Sequence, residues 1–354
     1  MSELISLFGD GVEVPTTDSL RKHKCLELEA GSDVKIGACG ILGRRASMED
    51  EHVVVNIDAD HILLAVFDGH GGGDSSAWLQ DHFVPQFCAS SYWQEYKASG
   101  DTSTLSSAFK DTFLELDSAL RISGADQRSG SCAIACLITP SLYVCANLGD
   151  SRCVLGRIGD TVALSVDHKP ECEEEEKRIV AAGGQVTFVK GDVYRVNSVI
   201  AVSRSIGDFV MKEQTHLPPS EQFVSCVPEV SIHPRTSEDD LLLLACDGMW
   251  DVLTNDMALD RAREAFTLYG ETSALRIAEE LLDYAYEEGS GDNISVIVAR
   301  LQGAAVPDAD VALQGGVDVF RRRREAHAEV PAQIYYQNTP LVAAPFSPFA
   351  DLEE

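Results

Sequence analysis

The chain lacks the features that mark membrane, secreted and lipid-anchored proteins. No apolar run reaches the roughly 18 residues of a membrane span, and the run at 241–246 is typical of the longest. The first residues do not show the basic and then apolar pattern of a signal peptide. Met1-Ser2 does not match the Met-Gly start of a myristoylated chain. We therefore expect a cytosolic protein with no membrane span.

Positive charge is also scarce. The 354 residues include 57 acidic and 28 basic side chains, for a formal net charge of −29. A broad nucleic-acid surface needs a basic face, so we expect no nucleic-acid partner, whereas cations and basic protein segments are attracted. The chain also has no G-x-x-x-x-G-K-[ST] nucleotide motif and no EF-hand calcium loop with a closing Glu.

Ten cysteines are present, but no C-x-x-C pair occurs. Most of them lie in apolar runs, where Cys behaves as a small hydrophobic residue: Cys132, Cys136, Cys145, Cys153 and Cys246. In a long chain without a secretory signal, this pattern predicts reduced, buried thiols.

Hydrophobic periodicity predicts strands, helices, strands, helices and a final strand, in that order. The predicted strands are 34–41, 52–57, 61–67, 131–138, 142–148, 152–156, 162–165, 241–246 and 293–301; the predicted helices are 73–88, 104–122, 171–182, 256–266 and 273–286. A parallel sheet would need a regular alternation of strand and helix, so the order favours a layered α+β fold.

One domain over residues 31–302 accounts for these elements. Residues 1–30 are predicted to be an arm or an added edge element, and 303–354 a tail that wraps the domain. The basic block at 321–324 resembles a nuclear-localisation patch, which adds the nucleus to the expected cytosol, although a charge cluster on a helix explains it equally well. The acidic run at 173–176 is predicted to be a solvated helix start.

The central stretch is a buried-strand pattern at 62–67 that runs into Asp68-Gly69-His70. One Asp-Gly pair is usually only a turn. However, Asp68, Asp150 and Asp247 follow the carboxyl ends of predicted strands, whereas Asp50 and Asp292 precede the amino ends. Antiparallel neighbours would bring both groups to one edge. We therefore expect a single acidic site.

A cluster of four or five carboxylates repels itself unless cations neutralise it. Oxygen ligands favour hard ions such as Mg²⁺ and Mn²⁺, and two such ions lower the pKa of a bridging water and clamp an in-line displacement at phosphorus. His70 beside them can protonate a leaving alkoxide, and Arg45 can bind phosphate oxygens with two N–H groups. These residues indicate a two-metal phosphoester hydrolase.

Seven motifs resemble those of the metal-dependent PP2C-type (PPM) serine/threonine protein phosphatases. They occur in the family's order over about residues 34–301: R-A-S-M-E-D at 45–50, F-D-G-H-G-G at 67–72, N-L-G-D-S-R at 147–152, D-H-K-P at 167–170, A-V-S-R-S-I-G-D at 201–208, C-D-G-M-W-D at 246–251 and G-D-N at 291–293. The resemblance implies a four-layer α-β-β-α sandwich of two antiparallel sheets, which dephosphorylates phosphoserine and phosphothreonine in proteins.

The resemblance also assigns roles by motif position. Asp68 would bridge two Mn²⁺ or Mg²⁺ ions, Asp247 and Asp292 would complete one, and Glu49 with the Gly69 carbonyl the other. Asp50 would orient water, Arg45 would hold the phosphate, and His70 would be the general acid while a metal-bridging hydroxide attacks phosphorus. Asp150 and Asp251 match positions for a weaker third ion.

The resemblance further implies a mobile flap at about 170–193 that affects substrate choice, phosphorylated proteins as partners, and a monomer. One departure is Cys132 where the family usually has Thr, which places the affinity of a third ion in question. The alternative function is a catalytically inactive binding or regulatory module on the same fold. The residues do not discriminate Mn²⁺ from Mg²⁺.

Overall fold

The computed structural model describes residues 22–30, 34–124, 128–189, 193–267 and 273–304. Its strands are β1 Lys22–Ala30, β2 Val34–Ile41, β3 Glu51–Asn56, β4 Ile62–His70, β5 Gly130–Ile138, β6 Leu142–Leu148, β7 Arg152–Arg157, β8 Asp160–Ala163, β9 Val186–Phe188, β10 Tyr194–Val196, β11 Ile206–Gly207, β12 Glu229–Pro234, β13 Asp239–Ala245 and β14 Ile294–Arg300. Its α-helices are α1 Asp74–Ala89, α2 Ser91–Ser99, α3 Thr104–Ile122, α4 Glu173–Ala181, α5 Asp247–Trp250, α6 Asn255–Thr267 and α7 Ala274–Glu287.

Two antiparallel sheets form the centre of the molecule. The first has the order β1-β2-β14-β13-β7-β8, and the second has the order β12-β6-β5-β4-β3, with β11 beside β5. A hairpin of β9 and β10 stands apart. Each sheet combines strands that are consecutive in sequence with strands from the second half of the chain, which are β13 and β14 in the first sheet and β11 and β12 in the second.

The apolar strands are buried on both faces, which explains their unbroken hydrophobic runs. In β13, Leu241 and Leu243 pack towards the helices α5–α7, whereas Leu242 and Leu244 pack between the sheets. On the other side, the second sheet packs against α1–α3. The result is four layers, helices outside and sheets inside, which confirms the predicted α+β sandwich.

Most predicted elements are present within a few residues of their predicted ends. The helix α2 escaped prediction because it is short and buries only Trp93, so its apolar pattern is weak. The added edge element predicted in residues 1–30 is present as β1, which pairs with β2. The predicted tail at 303–354 lies outside the described residues from residue 305 onwards, and so does its basic block at 321–324.

One sequence prediction needs correction. Eight cysteines are free thiols in the described part of the chain, but Cys39 is disulfide-bonded, so the prediction of reduced thiols is wrong there. Among the helices of the described ranges, none is both long and apolar enough to cross a membrane.

Candidate metal centre and active site

The strand directions bring the predicted acidic residues to one edge of the sandwich. Asp68 lies near the end of β4, and Asp247, the first residue of α5, is separated from β13 by Cys246 alone. Asp50 precedes β3, and Asp292 lies two residues before β14. Because neighbouring strands are antiparallel, these ends and starts meet at the same edge, as the sequence predicted.

Two groups of potential ligands share one carboxylate. The ligand atoms of Asp68, Asp150 and Asp247 lie within 4.8 Å of one another, and so do those of Asp50, Asp68 and Cys246. Asp68 is common to both groups, as expected of a bridging ligand. Cys246 escaped the sequence analysis as a site neighbour because it reads as the last apolar residue of a buried strand.

Burial and mutual repulsion disfavour the ionised form of the carboxylates in this cluster. Burial, and then the charge of Asp247, raise the pKa of Asp68 well above its ordinary value. Burial, and then the charge of Asp150, do the same for the pKa of Asp247. Burial is also the largest cause that raises the pKa of Asp50 from 3.8 to about 7. Such a cluster either holds protons or binds positive ions.

One atom tests whether the residues fit a metal. Asp50 is 4% exposed, and its Oδ2 has no hydrogen-bond partner among the described residues. A buried carboxylate oxygen without a partner is costly, and a metal-bound water would satisfy it. The donors around it are carboxylate oxygens and the Cys246 thiol, and the carboxylate oxygens suit Mg²⁺ and Mn²⁺. The site therefore fits the implied ions.

Glu49 and Gly69 lie together beside this cluster. Glu49 Oε2 accepts a hydrogen bond from the Gly72 N–H at 3.0 Å, and its Oε1 accepts one from Ser47 Oγ at 2.7 Å. A Cβ on Gly69 would lie 2.3 Å from the Glu49 carbonyl oxygen. The close approach of the two backbones therefore requires glycine at position 69 and keeps its carbonyl next to the Glu49 segment.

Arg45 lies at the mouth of the site. Its guanidinium Nη2 is 2.5 Å from Asp292 Oδ2, its Nε donates to the Gly291 carbonyl at 3.2 Å, and 57% of its side chain is exposed. Burial raises the pKa of Asp292, and the Arg45 charge opposes that rise. The arginine therefore lies next to a predicted metal ligand with more than half of its side chain exposed to solvent.

His70 has a carboxylate partner that the sequence analysis did not assign. Its Nε2 lies 2.7 Å from Asp208 Oδ2, and the His70 side chain is 29% exposed. Burial lowers the pKa of His70, but the neighbouring Asp208 charge and hydrogen bond help to outweigh it, so that the net direction is upward. Asp208 is the last residue of the motif at 201–208, and its place in that motif was the sequence signal that could have marked it as a site residue.

The residues expected for a third ion already hold a protein cation. Lys169 Nζ lies 2.8 Å from Asp150 Oδ2 and 3.7 Å from Asp251 Oδ1. On the other side, Cys132 Sγ donates to Asp150 Oδ1 at 3.4 Å. The thiol therefore does contact a candidate third-ion ligand. Lys169 belongs to the D-H-K-P motif but was not singled out.

Asn293 is a further residue whose role the sequence did not reveal. Its Oδ1 accepts from the Glu49 N–H at 2.8 Å, and its Nδ2 donates to the Leu42 and Ser47 carbonyls at 2.7 and 3.0 Å. These bonds tie the 42–49 loop to the start of β14, so they set the position of Glu49 relative to Asp292.

The predicted flap contains α4 and β9, with β10 directly after it, and its helix is anchored rather than solvated throughout. Glu175 is 3% exposed. Its carboxylate accepts hydrogen bonds from Arg204 Nη2 at 2.6 Å, Arg178 Nη1 at 2.5 Å and Ser203 Oγ at 2.6 Å. The prediction of a solvated acidic run at 173–176 is therefore wrong for Glu175, which binds the flap to the 203–204 backbone.

Comparisons with known proteins agree with the geometry. A family model described as protein phosphatase 2C matches residues 34–294. "Probable protein phosphatase 2C 42" of Oryza sativa subsp. japonica is 35% identical over 299 residues, covering 73% of this chain and 82% of that protein.

"Protein phosphatase 2C homolog 2" of Saccharomyces cerevisiae is 38% identical over 298 residues, covering 78% of this chain and 60% of the yeast protein. The crystal structure of a serine-threonine phosphatase 2C from Toxoplasma gondii superposes with a TM-score of 0.70 at 22% identity, covering 79% of this chain and 99% of that one. At that identity, the superposition shows the fold alone.

Proposed function

This chain belongs to the protein phosphatase 2C family of metal-dependent protein serine/threonine phosphatases, and from this premise we propose that its acidic site hydrolyses phosphoserine and phosphothreonine in proteins. The observation that carries the proposal is the meeting of Asp68, Asp150 and Asp247, whose ligand atoms lie within 4.8 Å of one another at the sandwich edge.

The described residues supply a ligand set for two ions. Asp68 would serve both ions, Asp247 and Asp292 would complete the ligands of one, and the Gly69 carbonyl with Glu49 those of the other. Asp50, whose buried Oδ2 has no hydrogen-bond partner among the described residues, would accept a hydrogen bond from water at the site. When bound, the Mn²⁺ or Mg²⁺ ions supply a nucleophilic hydroxide at neutral pH and positive charge opposite the phosphate.

Two residues act on the substrate itself. Arg45 turns from Asp292 and binds phosphate oxygens with its guanidinium N–H groups, a pairing that favours bidentate hydrogen bonds. His70 carries a proton that the leaving serine or threonine oxygen needs, because an unprotonated alkoxide is a poor leaving group. The neighbouring Asp208 raises the pKa of His70 against the opposing effect of burial, which favours the protonated ring.

The test is hydrolysis of a phosphothreonine peptide with Mn²⁺, Mg²⁺, Ca²⁺ or EDTA. We expect phosphate release that needs Mn²⁺ or Mg²⁺, stops in EDTA and falls by roughly a thousandfold in Asp247→Asn, since the loss of a charged ligand removes a metal and its share of catalysis. Asp60→Asn, in an exposed turn, is the matched control and should keep wild-type activity.

No turnover from the folded wild type in any metal would overturn the proposal. It would favour the inactive binding module, which the comparisons do not support. Further proposals follow from the same premise: a domain over 31–302 with extensions at 1–30 and 303–354, a weaker third ion at Asp150 and Asp251, a monomer, and a location in the cytosol or also the nucleus. Equilibrium dialysis with Mn²⁺ counts the ions directly.

A further inference from the structure

The pair of His70 and Asp208 joins two distant parts of the chain. His70 is the last residue of β4, and Asp208 follows β11, 138 positions later. The 2.7 Å distance between Nε2 and Oδ2 is that of a charge-assisted hydrogen bond. Asp208 is only 3% exposed, whereas 29% of the His70 side chain is exposed. The imidazole ring therefore forms the solvent-facing side of the pair.

The surroundings leave space for this pair and for little else. A Cβ on Gly130 would lie 2.1 Å from Asp208 Oδ2 and 2.4 Å from His70 Nε2. Ser205 Oγ also donates to the same Oδ2. Asp208 itself has a φ of +47°, a left-handed conformation that residues other than glycine adopt rarely. Such strain persists only where the surroundings enforce it.

A buried ion pair holds the loop that presents Asp208. Asp117 Oδ1, from α3, accepts a hydrogen bond from the Gly207 N–H at 2.9 Å and from Lys212 Nζ at 2.6 Å. The same ammonium donates to the Ser205 carbonyl at 2.8 Å. Backbone groups on both sides of Ile206 are therefore fixed, and the Asp208 N–H donates to the Ser129 carbonyl at 3.0 Å.

We propose that Asp208 is a positioning residue, which holds Nε2 of His70 so that the other ring nitrogen, Nδ1, delivers the proton to the leaving oxygen. The inference rests on the proposed function, since it gives the general acid of that reaction a fixed orientation. The partner carboxylate fixes which ring nitrogen faces the reaction, as in other histidine–carboxylate pairs.

Two bonds and one proton change place when a phosphothreonine substrate reacts. Hydroxide forms a bond to phosphorus, and the bond from phosphorus to the threonine oxygen breaks. The electron pair of that bond goes to the oxygen, which takes the proton of His70 Nδ1. The ring is left neutral, still donates through Nε2 to Asp208, and regains a proton from solvent before the next turnover.

The experiment compares two leaving groups in the Mn²⁺-loaded full chain. Asp208→Asn keeps the shape and tolerates the left-handed conformation but weakens the hold on the ring. With a phosphothreonine peptide, we expect kcat to fall about tenfold to a hundredfold with little change in KM, which is less than the roughly 10²–10⁴ that a general acid supplies, because the ring itself remains. With p-nitrophenyl phosphate, whose leaving group departs without a proton, we expect less than about a threefold change.

Two further variants make the test specific. Asp208→Asn combined with His70→Ala should be no slower than His70→Ala alone, because both changes remove one function. Asp58→Asn is the matched control: it breaks a histidine–aspartate contact of similar length, His61 Nδ1 to Asp58 Oδ1 at 2.6 Å, before the opposite end of β4, and should change neither substrate's rate.

Equal losses on both substrates, or additive losses in the double variant, would overturn the positioning role while the proposed function stands. If Asp208→Asn unfolds the protein, Ser205→Ala replaces it and should show the same dependence on leaving group at smaller size. A wild type that hydrolyses neither substrate would refute the proposed function and this inference with it. A wild type that is active but indifferent to His70→Ala would refute the inference and the general-acid role of His70, while the proposed hydrolysis of phosphoserine and phosphothreonine stands.

Discussion

Asparagine at position 50 should stabilise the metal-free protein above neutral pH, although it removes a residue of the proposed site. The folded protein binds a proton at Asp50 with a pKa of about 7 against 3.8 ordinarily. The folded state therefore holds this proton more tightly than the unfolded state, and the free energy of unfolding falls as pH rises from about 4 to about 7.

The size of the effect follows from the same numbers. At about 1.4 kcal/mol for each pH unit between the two pKa values, the rise from 3.8 to about 7 costs the wild type about 4 kcal/mol once Asp50 is ionised. Asparagine carries no charge at any pH and escapes this cost. Because Asp50 is only 4% exposed, solvent screens little of it.

Urea unfolding in EDTA at pH 5 and pH 8 measures the difference. The stability advantage of Asp50→Asn over the wild type should widen by about 2–3 kcal/mol between the two pH values. Asp60→Asn, in an exposed turn, should show no such widening. With saturating Mn²⁺ the advantage should shrink, because the ions bind the folded wild type and offset the charge. An advantage that stays constant with pH, or a variant less stable than the wild type at pH 8, would refute the reasoning.

Two other predictions concern the supports of the site. Glu175→Ala should lower the free energy of unfolding by about 3–5 kcal/mol, because it leaves Arg178 and Arg204 without their buried partner. Urea unfolding measures this loss. The control Glu174→Ala, on the exposed side of α4, should change the free energy of unfolding by less than about 0.5 kcal/mol. Asn293→Ala removes three hydrogen bonds to the 42–49 loop. It should weaken Mn²⁺ binding, measured by calorimetry, by about tenfold, as loss of a supporting residue typically does. An unchanged Mn²⁺ affinity would show that the loop holds Glu49 in place without Asn293.

Much of the fold was predictable because strands that are buried on both faces have continuous apolar sequences, which are easily recognised. The unbroken apolar run of β13 could only be a buried strand or a short buried helix, and its length decided for a strand. Asp50 precedes its strand and Asp68 lies at the end of the next, and Asp292 and Asp247 have the same relation, so each pair required antiparallel strands in order to meet. That deduction from connectivity is confirmed by the antiparallel pairing of β3 with β4 and of β13 with β14.

What escaped prediction depends on contacts between distant residues. Nothing local distinguishes Asp208 from a turn residue, since its partner His70 lies 138 positions away. Glu175 has the same identity as its exposed neighbours and differs only in the two arginines that reach it. Lys169 and Asn293 each lay in a recognised motif, but their acceptors became visible only when the loops were placed in space.

The position of β14 in the first sheet has a consequence for synthesis of the protein. It is the last strand of the described chain, yet it lies between β2 and β13. Asp292 lies two residues before its first residue, Ile294. While a ribosome is still making this segment, β2 and β13 each lack a neighbour, and such open strand edges are prone to pair with other chains. The first sheet closes only when β14 inserts between them, and that event also brings the last proposed ligand into place. A nascent chain should therefore remain without a complete catalytic centre, and without phosphatase activity, until nearly the whole domain has left the ribosome.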